Sequence, residues 1–228
     1  KLRKSQERME QSRPYSKRLE NLIQHLLQDV NRSILLLLNK RNEIQNHGFL
    51  IITADRGLAG SFNTNIIKKA ESEINKVGKE NAVLFCVGKK GLEHFKKREY
   101  NIMYHATDFW STLNYNDAIN TGKNIIDAYL NEHVDSLHAI YNFFKNTASQ
   151  EVTYKTLLPL ELESESQSQF NDVIYEPSKE DIIKSIVPKY FNTQIWQYLL
   201  ESFASEQAAR MIAMENATYN AKEMIDEL

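Results

Sequence analysis

The residues best placed to do chemistry form one short stretch, Asp55-Arg-Gly-Leu-Ala-Gly-Ser-Phe-Asn63. It follows directly on an apolar run, Phe49-Leu-Ile-Ile-Thr53, and precedes residues with helical spacing. In that position Gly57 and Gly60 could bring backbone amides up to a phosphate at the start of a helix. The stretch matches neither GxGxxG nor the GxxxxGK-Ser/Thr loop, and the next apolar run ends Val87-Gly-Lys-Lys90, with no acidic residue to read a ribose. The competing reading is a tight strand-to-helix turn in which Asp55 or Asn63 caps backbone amides.

Other reactive side chains form no constellation. His25, His47, His94, His105, His133 and His138 show no metal-ligand spacing. His138 falls in a run that reads as a strand, where a hydrogen-bonded structural imidazole is expected. Asp127, Glu132 and Asp135 cluster at a helix end without a pairing suited to acid–base work. The lone Cys86 sits inside Ala-Val-Leu-Phe-Cys-Val, the setting of an inert core thiol, and forbids an internal disulfide. Eleven Tyr and ten Phe are scattered, with no pattern for stacking bases. No catalytic residue, cofactor or metal is therefore expected.

The elements that must position these residues change period along the chain. Phe49–Thr53 and Ala82–Val87 are continuous apolar runs, the signature of strands buried on both faces. Asn63–Val77 has helical spacing (Ile66, Ile67, Ala70, Ile74) and stops at Gly78; Gly91–Arg98 is a short helix. Asn101–Tyr104 is a weak strand. Asn116–Asn131 is a helix with Ile119, Ile126 and Leu130 on one face, and His138–Phe144 is a further strand. Strands alternating with helices predict a Rossmann-like, mostly parallel sheet. Glu151–Leu160 alternates and predicts an edge strand ending at Pro159; Glu161–Asp172 reads as a polar loop and Val173–Tyr175 as a short extended piece.

The two ends are helical. On residues 1–45, Ser12, Tyr15, Leu19, Leu22 and Leu26 step by three and four. Ser178 fits an N-cap, and no Pro or Gly follows Pro188. Reading back from Leu228, a heptad seam runs through Leu200, Ala204, Gln207, Met211, Met214, Thr218, Ala221 and Ile225. A helix over the last forty residues would span roughly 60 Å. That exceeds what a small domain covers, so it needs a partner helix. The first eighteen residues carry seven basic and two acidic side chains, while the stretch from Glu201 carries six acidic and two basic. Opposite charge and matching periodicity predict an antiparallel coiled coil, with charge choosing orientation more than strength. The predicted organisation is an N-terminal coiled-coil helix over 1–45, an α/β domain over 46–177 and a C-terminal coiled-coil helix over 178–228.

Composition bounds the function. Of 228 residues, 25% are charged and 42% apolar, and the net charge of −2 argues against a nucleic-acid or anionic-membrane binder. The longest apolar run is far short of a membrane span. Two readings from local chemistry stay open beside the coiled coil: a nucleotide-binding α/β enzyme with a helical dimerisation arm, and a basic arm that binds nucleic acid.

Two stretches narrow this further: Thr53-Ala-Asp-Arg-Gly-Leu-Ala-Gly-Ser-Phe-Asn-Thr-Asn65, and Ala204-Ser-Glu-Gln-Ala-Ala-Arg-Met-Ile-Ala-Met-Glu-Asn-Ala-Thr-Tyr-Asn220. Both closely resemble the gamma subunit of F-type ATP synthases, and Met9-Glu-Gln-Ser-Arg-Pro-Tyr15, Leu157-Leu-Pro-Leu160 and Tyr175-Glu-Pro177 add to the likeness. The resemblance implies a non-catalytic central-stalk rotor. It would couple ion flow through a membrane c-ring to ATP synthesis in a hexamer of alpha and beta subunits, with the epsilon subunit as a further partner. It implies that Gln207 and Arg210 meet the beta subunit's acidic loop, and that Tyr175 and Glu176 lie at the stalk foot near the ring and epsilon. Arg210 is the only basic residue between Lys189 and Lys222, and an intrahelical bond to Glu206 competes for it. Ala59 stands where the family usually has Cys, and family members run on at both ends, so a trimmed stalk without the axle tip is expected. No nucleic acid is implied. The implied place is the cytoplasmic side of the bacterial inner membrane or, alternatively, the matrix side of the mitochondrial one, as a peripheral protein held by the complex.

Overall fold

The computed structural model describes residues 2–27, 35–161 and 178–227. Their elements follow the order α1 (Leu2–Leu26), β1 (His47–Ile52), α2 (Phe62–Val77), β2 (Ala82–Val87), α3 (Lys89–Lys96), β3 (Asn101–Ala106), α4 (Tyr115–Leu130), β4 (Ser136–Phe144), β5 (Gln150–Leu158) and α5 (Lys179–Asp226). The five strands among the described residues form one sheet, ordered β3-β2-β1-β4-β5. Strands β3, β2, β1 and β4 are parallel, with His47 level with Ala82 and Ser136; β5 returns antiparallel to β4.

The continuous apolar runs form strands because both faces of the sheet are covered. Along β1 and β2 the side chains alternate between two core layers. Leu50, Ile52, Val83, Phe85 and Val87 join the layer of α1, α4 and α5, while Phe49, Ile51, Leu84 and Cys86 join that of α2 and α3. Each such fully buried aliphatic or aromatic side chain contributes roughly 1.5–3 kcal/mol. Cys86 is inaccessible, and burial pushes its thiol up to about 12, so it is the inert core group the sequence predicts.

Helix α5 is 48 residues long, about 70 Å at 1.5 Å per residue. It starts at Ser178, whose hydroxyl accepts the Asp181 N–H at 3.1 Å, and it runs through Pro188 without a break. Helix α1 lies antiparallel along it: Gln194 donates to the Ser16 hydroxyl at 3.1 Å, Arg13 to Glu201 at 3.3 Å, and Leu2 lies beside Met211 and Met214. From Met214 onward most of α5 is exposed, including the seam residues Met214, Thr218, Ala221 and Ile225 and the acidic Glu215, Glu223 and Asp226. The seam is thus paired with α1 only over its first half.

Three expectations need correction. Helical structure does not extend over all of 1–45: α1 ends at Leu26, and residues 35–46 hold one 3-10 turn, Leu36–Leu38. There Leu35 and Leu37 are buried and Leu36 is 60% exposed, an alternation suited to chain crossing the domain rather than to a helix. Helix α1 buries Ser5, Met9, Ser16, Glu20, Ile23 and Leu26, with Ser12, Leu19 and Leu22 partly buried, so of the expected stripe Tyr15 turns outward, 52% exposed. Helix α4 likewise buries Ala118, Gly122, Ile125 and Tyr129, leaving Ile119 and Leu130 outside. Close approach explains the shift: a Cβ on Gly122 would lie 2.0 Å from Asn192 Oδ1 of α5. Contact that close requires a residue without a Cβ, so the face carrying Gly122 is the one turned to α5.

Candidate functional site

The Asp55–Asn63 turn leaves the sheet at the C-terminal edge of its parallel strands, where α/β domains place their sites. Thr53 closes β1: its N–H donates to the Val87 carbonyl at 2.7 Å and its hydroxyl accepts the Gly91 N–H at 2.9 Å. Gly88 makes this approach possible, having φ +95° and room for no Cβ beside the Thr53 carbonyl. Asp55 then joins the ends of three neighbouring strands. Its Oδ1 accepts from the Lys89 N–H at 2.9 Å and its Oδ2 from the Asp108 N–H at 2.8 Å. Asn63 folds back on the turn, accepting the Ala54 N–H at 2.8 Å and donating to the Arg56 carbonyl at 3.2 Å. The capping reading of Asp55 and Asn63 is the one the structure bears out. Each carboxylate oxygen of Asp55 accepts a backbone amide, so the side chain ties the strand ends together.

Of the residues singled out by the sequence, Arg210 meets this turn, and Gln207 lies beside it on α5. Arg210 donates from Nε to Glu206 Oε1 at 2.7 Å, from Nη2 to the same oxygen, and from Nη1 to the Gly57 carbonyl at 2.9 Å. Gln207 donates to the other Glu206 oxygen. Glu206 is 7% exposed, so its charge is compensated by a two-point contact from Arg210 within a largely dry face. The intrahelical Arg210–Glu206 bond thus exists, and it aims the third guanidinium nitrogen at a turn 153 residues away in sequence. Above the turn Leu58 stands 85% exposed at φ +61°. Beside the turn opens a groove of about 770 Å³ whose lining includes the basic Lys4, Arg8, Arg56, Lys89 and Arg210, the acidic Asp55, Asp108 and Glu206, and Trp110. Trp110 is held by stacking against Phe109 and against Phe203 of α5, with centroids 4.9 and 5.8 Å away.

The arrangement can present cations and an apolar knob to a partner. It holds no nucleophile with an adjacent base, and among the described residues no group of three His, Cys, Asp or Glu could hold a metal. Tyr175 and Glu176 lie outside the described residues. His138 stacks on Tyr154 at 4.9 Å, but its buried Nδ1 has no hydrogen-bond partner, unlike the satisfied histidine expected. Sequence reasoning missed the Arg210–Gly57 bond and the basic groove, because both assemble from distant segments and leave no local signal.

A family model described as ATP synthase matches residues 1–228. The ATP synthase gamma chain of Chloroherpeton thalassium is 40% identical, with 100% of this chain and 80% of that one covered. The chain belongs to the ATP synthase gamma-chain family. A second gamma chain, from Chlorobium phaeobacteroides, is also 40% identical with the same coverage. Among solved structures, the central stalk and c-ring of Tetrahymena thermophila mitochondrial ATP synthase aligns at TM-score 0.71 over 96% of this chain and 94% of that one, at 22% identity; it shares the fold. Gamma-chain membership disfavours the nucleotide-binding enzyme with a dimerisation arm. Geometry agrees, since α5 finds its partner helix within the chain. No helix among the described residues is long and apolar enough to cross a membrane.

Proposed function

We propose that this chain is the central-stalk rotor subunit of an F-type ATP synthase. It transmits rotation from a membrane ion-translocating ring to a catalytic CF(1) hexamer of alpha and beta subunits, and hydrolyses nothing itself. The observation that carries this is an antiparallel helix pair packed on an α/β domain, whose longer member, a helix of 48 residues, continues past the domain, in a chain of the gamma family. In this reading the α/β domain within residues 46–177 is the foot, and α1 and α5 form the shaft. Gln207 and Arg210 meet the beta subunit's acidic loop. The groove lined by Lys4, Arg8 and Arg56 supports that role, because a concentration of cations beside Arg210 attracts carboxylates and orients their approach. Tyr175 and Glu176 contact the membrane ring and the epsilon subunit. The protein is peripheral, held through its complex on the cytoplasmic side of a bacterial membrane.

Reconstitution tests this. Alpha–beta hexamers joined to the membrane ring should pump ions on ATP hydrolysis only when the full-length chain is present. Equal pumping without it would refute the rotor. For the contact, Arg210→Glu in the full-length chain should weaken association with the hexamer about tenfold or more through like-charge repulsion; unchanged affinity would remove Arg210 from the interface.

A further inference from the structure

The end of β4 carries an unusual arrangement. The register between β1 and β4 stops at Ile51 and Ile140, yet β4 continues to Phe144. Its last residues therefore run past the end of β1, and backbone groups on that side lack a neighbouring strand. Three side chains from two successive turns of α5 take the strand's place. The Ser202 hydroxyl accepts the Asn142 N–H at 3.4 Å, the Ser205 hydroxyl donates to the Asn142 carbonyl at 3.3 Å, and Glu201 Oε2 accepts the Phe144 N–H at 3.4 Å. All three are buried, Ser202 and Ser205 almost completely. The other Glu201 oxygen, Oε1, accepts from Arg13 of α1 at 3.3 Å, and that guanidinium lies 5.7 Å from the Phe143 ring. One carboxylate thus joins both helices to the sheet.

We propose that Glu201, Ser202 and Ser205 form the lock that fixes the rotational register of the helix pair on the sheet, and so are the positioning residues through which torque passes between foot and shaft. The proposal rests on the rotor reading. Apolar packing alone resists separation better than it resists twist, because dispersion is non-directional. Hydrogen bonds to strand amides have a preferred angle and are costly to leave unmade once buried. The lock also sits where twist must concentrate. Within ten residues of Glu201, α5 makes its Arg210–Gly57 bond to the domain, and beyond Met214 the helix is exposed. Below it, Tyr198 stacks on Tyr141 at 4.3 Å, an apolar layer that fills space without fixing an angle.

The test uses the full-length chain in a reconstituted complex, measuring ions pumped per ATP hydrolysed. Ser202→Ala with Ser205→Ala, and separately Glu201→Gln, should each lower this ratio about threefold while hydrolysis stays within about twofold of the starting rate, as expected when transmission and not chemistry is lost. Arg13→Met, at a half-exposed position that tolerates replacement, should lower the ratio alone and add little in the Glu201→Gln background, since the two share one interaction. An unchanged ratio in all three overturns the lock. Amide exchange in the isolated chain gives a second readout: the Asn142 and Phe144 amides should exchange about tenfold faster in the variants while β1 and β2 amides do not. Unaltered exchange there also overturns it. If the unsubstituted chain supports no pumping, the rotor reading fails, and the exchange result still decides whether the lock exists.

Discussion

Arg210 shows how a side chain serves two structural partners and still faces a groove. It neutralises Glu206 and holds the Gly57 carbonyl, so its loss leaves a nearly buried carboxylate unpaired. Arg210→Ala should destabilise the chain by about 2 kcal/mol or more in urea unfolding, and Arg210→Lys by a smaller amount, because an ammonium cannot reproduce the fork. His138 makes a pH-dependent contribution. Burial lowers its pKa, with His47 acting in the same direction and Glu73 and Glu161 opposing. The folded chain therefore holds it neutral while the unfolded chain takes up a proton near pH 6.5, so stability is lost as pH falls through that value. His138→Phe should flatten the stability profile between about pH 7 and 5 while keeping the stack on Tyr154, as chemical denaturation at stepped pH would show. The glycines divide sharply. Gly88→Ala meets the Thr53 carbonyl at 1.9 Å with φ +95° and should cost about 3 kcal/mol or prevent folding. Gly57→Ala meets nothing within 4 Å and should shift the melting temperature by a few degrees at most.

At the scale of elements, the strands were the most legible part. β1 beyond His47 and all of β2 are buried on both faces, so every residue there is apolar or small and the run stands out from its surroundings. Helix existence was legible too, but helix orientation was not. On α1 the buried stripe takes in Ser16 and leaves Tyr15 outside, and on α4 it takes in Gly122, Ile125 and Tyr129 and leaves Ile119 and Leu130 outside, because α4 approaches α5 closely at Gly122. The helix start was legible at Ser178, which caps α5 at Lys179, and the helix then runs on through Pro188. Buried Ile183, Val187 and Tyr190 on either side of the proline hold the helix together across the lost hydrogen bond. Pro188→Ala should therefore raise stability by about 1 kcal/mol or more, measured as an upward shift in thermal midpoint.

For the whole molecule, α5 passes from a buried to an exposed setting along its length. Residues Tyr198–Ala208 are packed by α1, α4 and the sheet, whereas Tyr219–Glu227 stand in solvent. Amides near Leu200 should exchange with the rate of global unfolding and those after Tyr219 several orders of magnitude faster, a gradient that hydrogen exchange on the isolated chain would measure. The sequence by itself determined the alternation of strands and helices behind the layered α/β architecture, the inert Cys86 and the tight turn that Asn63 closes. Those features follow from local periodicity and from chemistry within ten residues. It also carried the two stretches that mark the gamma family. Only the tertiary structure decided which stripe of each helix is buried, that Arg210 reaches Gly57, and that α5 completes the edge of β4. Each of these depends on the distance between segments remote in sequence, where one residue of rotation or the absence of one Cβ changes the contact, and no pattern within a single segment encodes it.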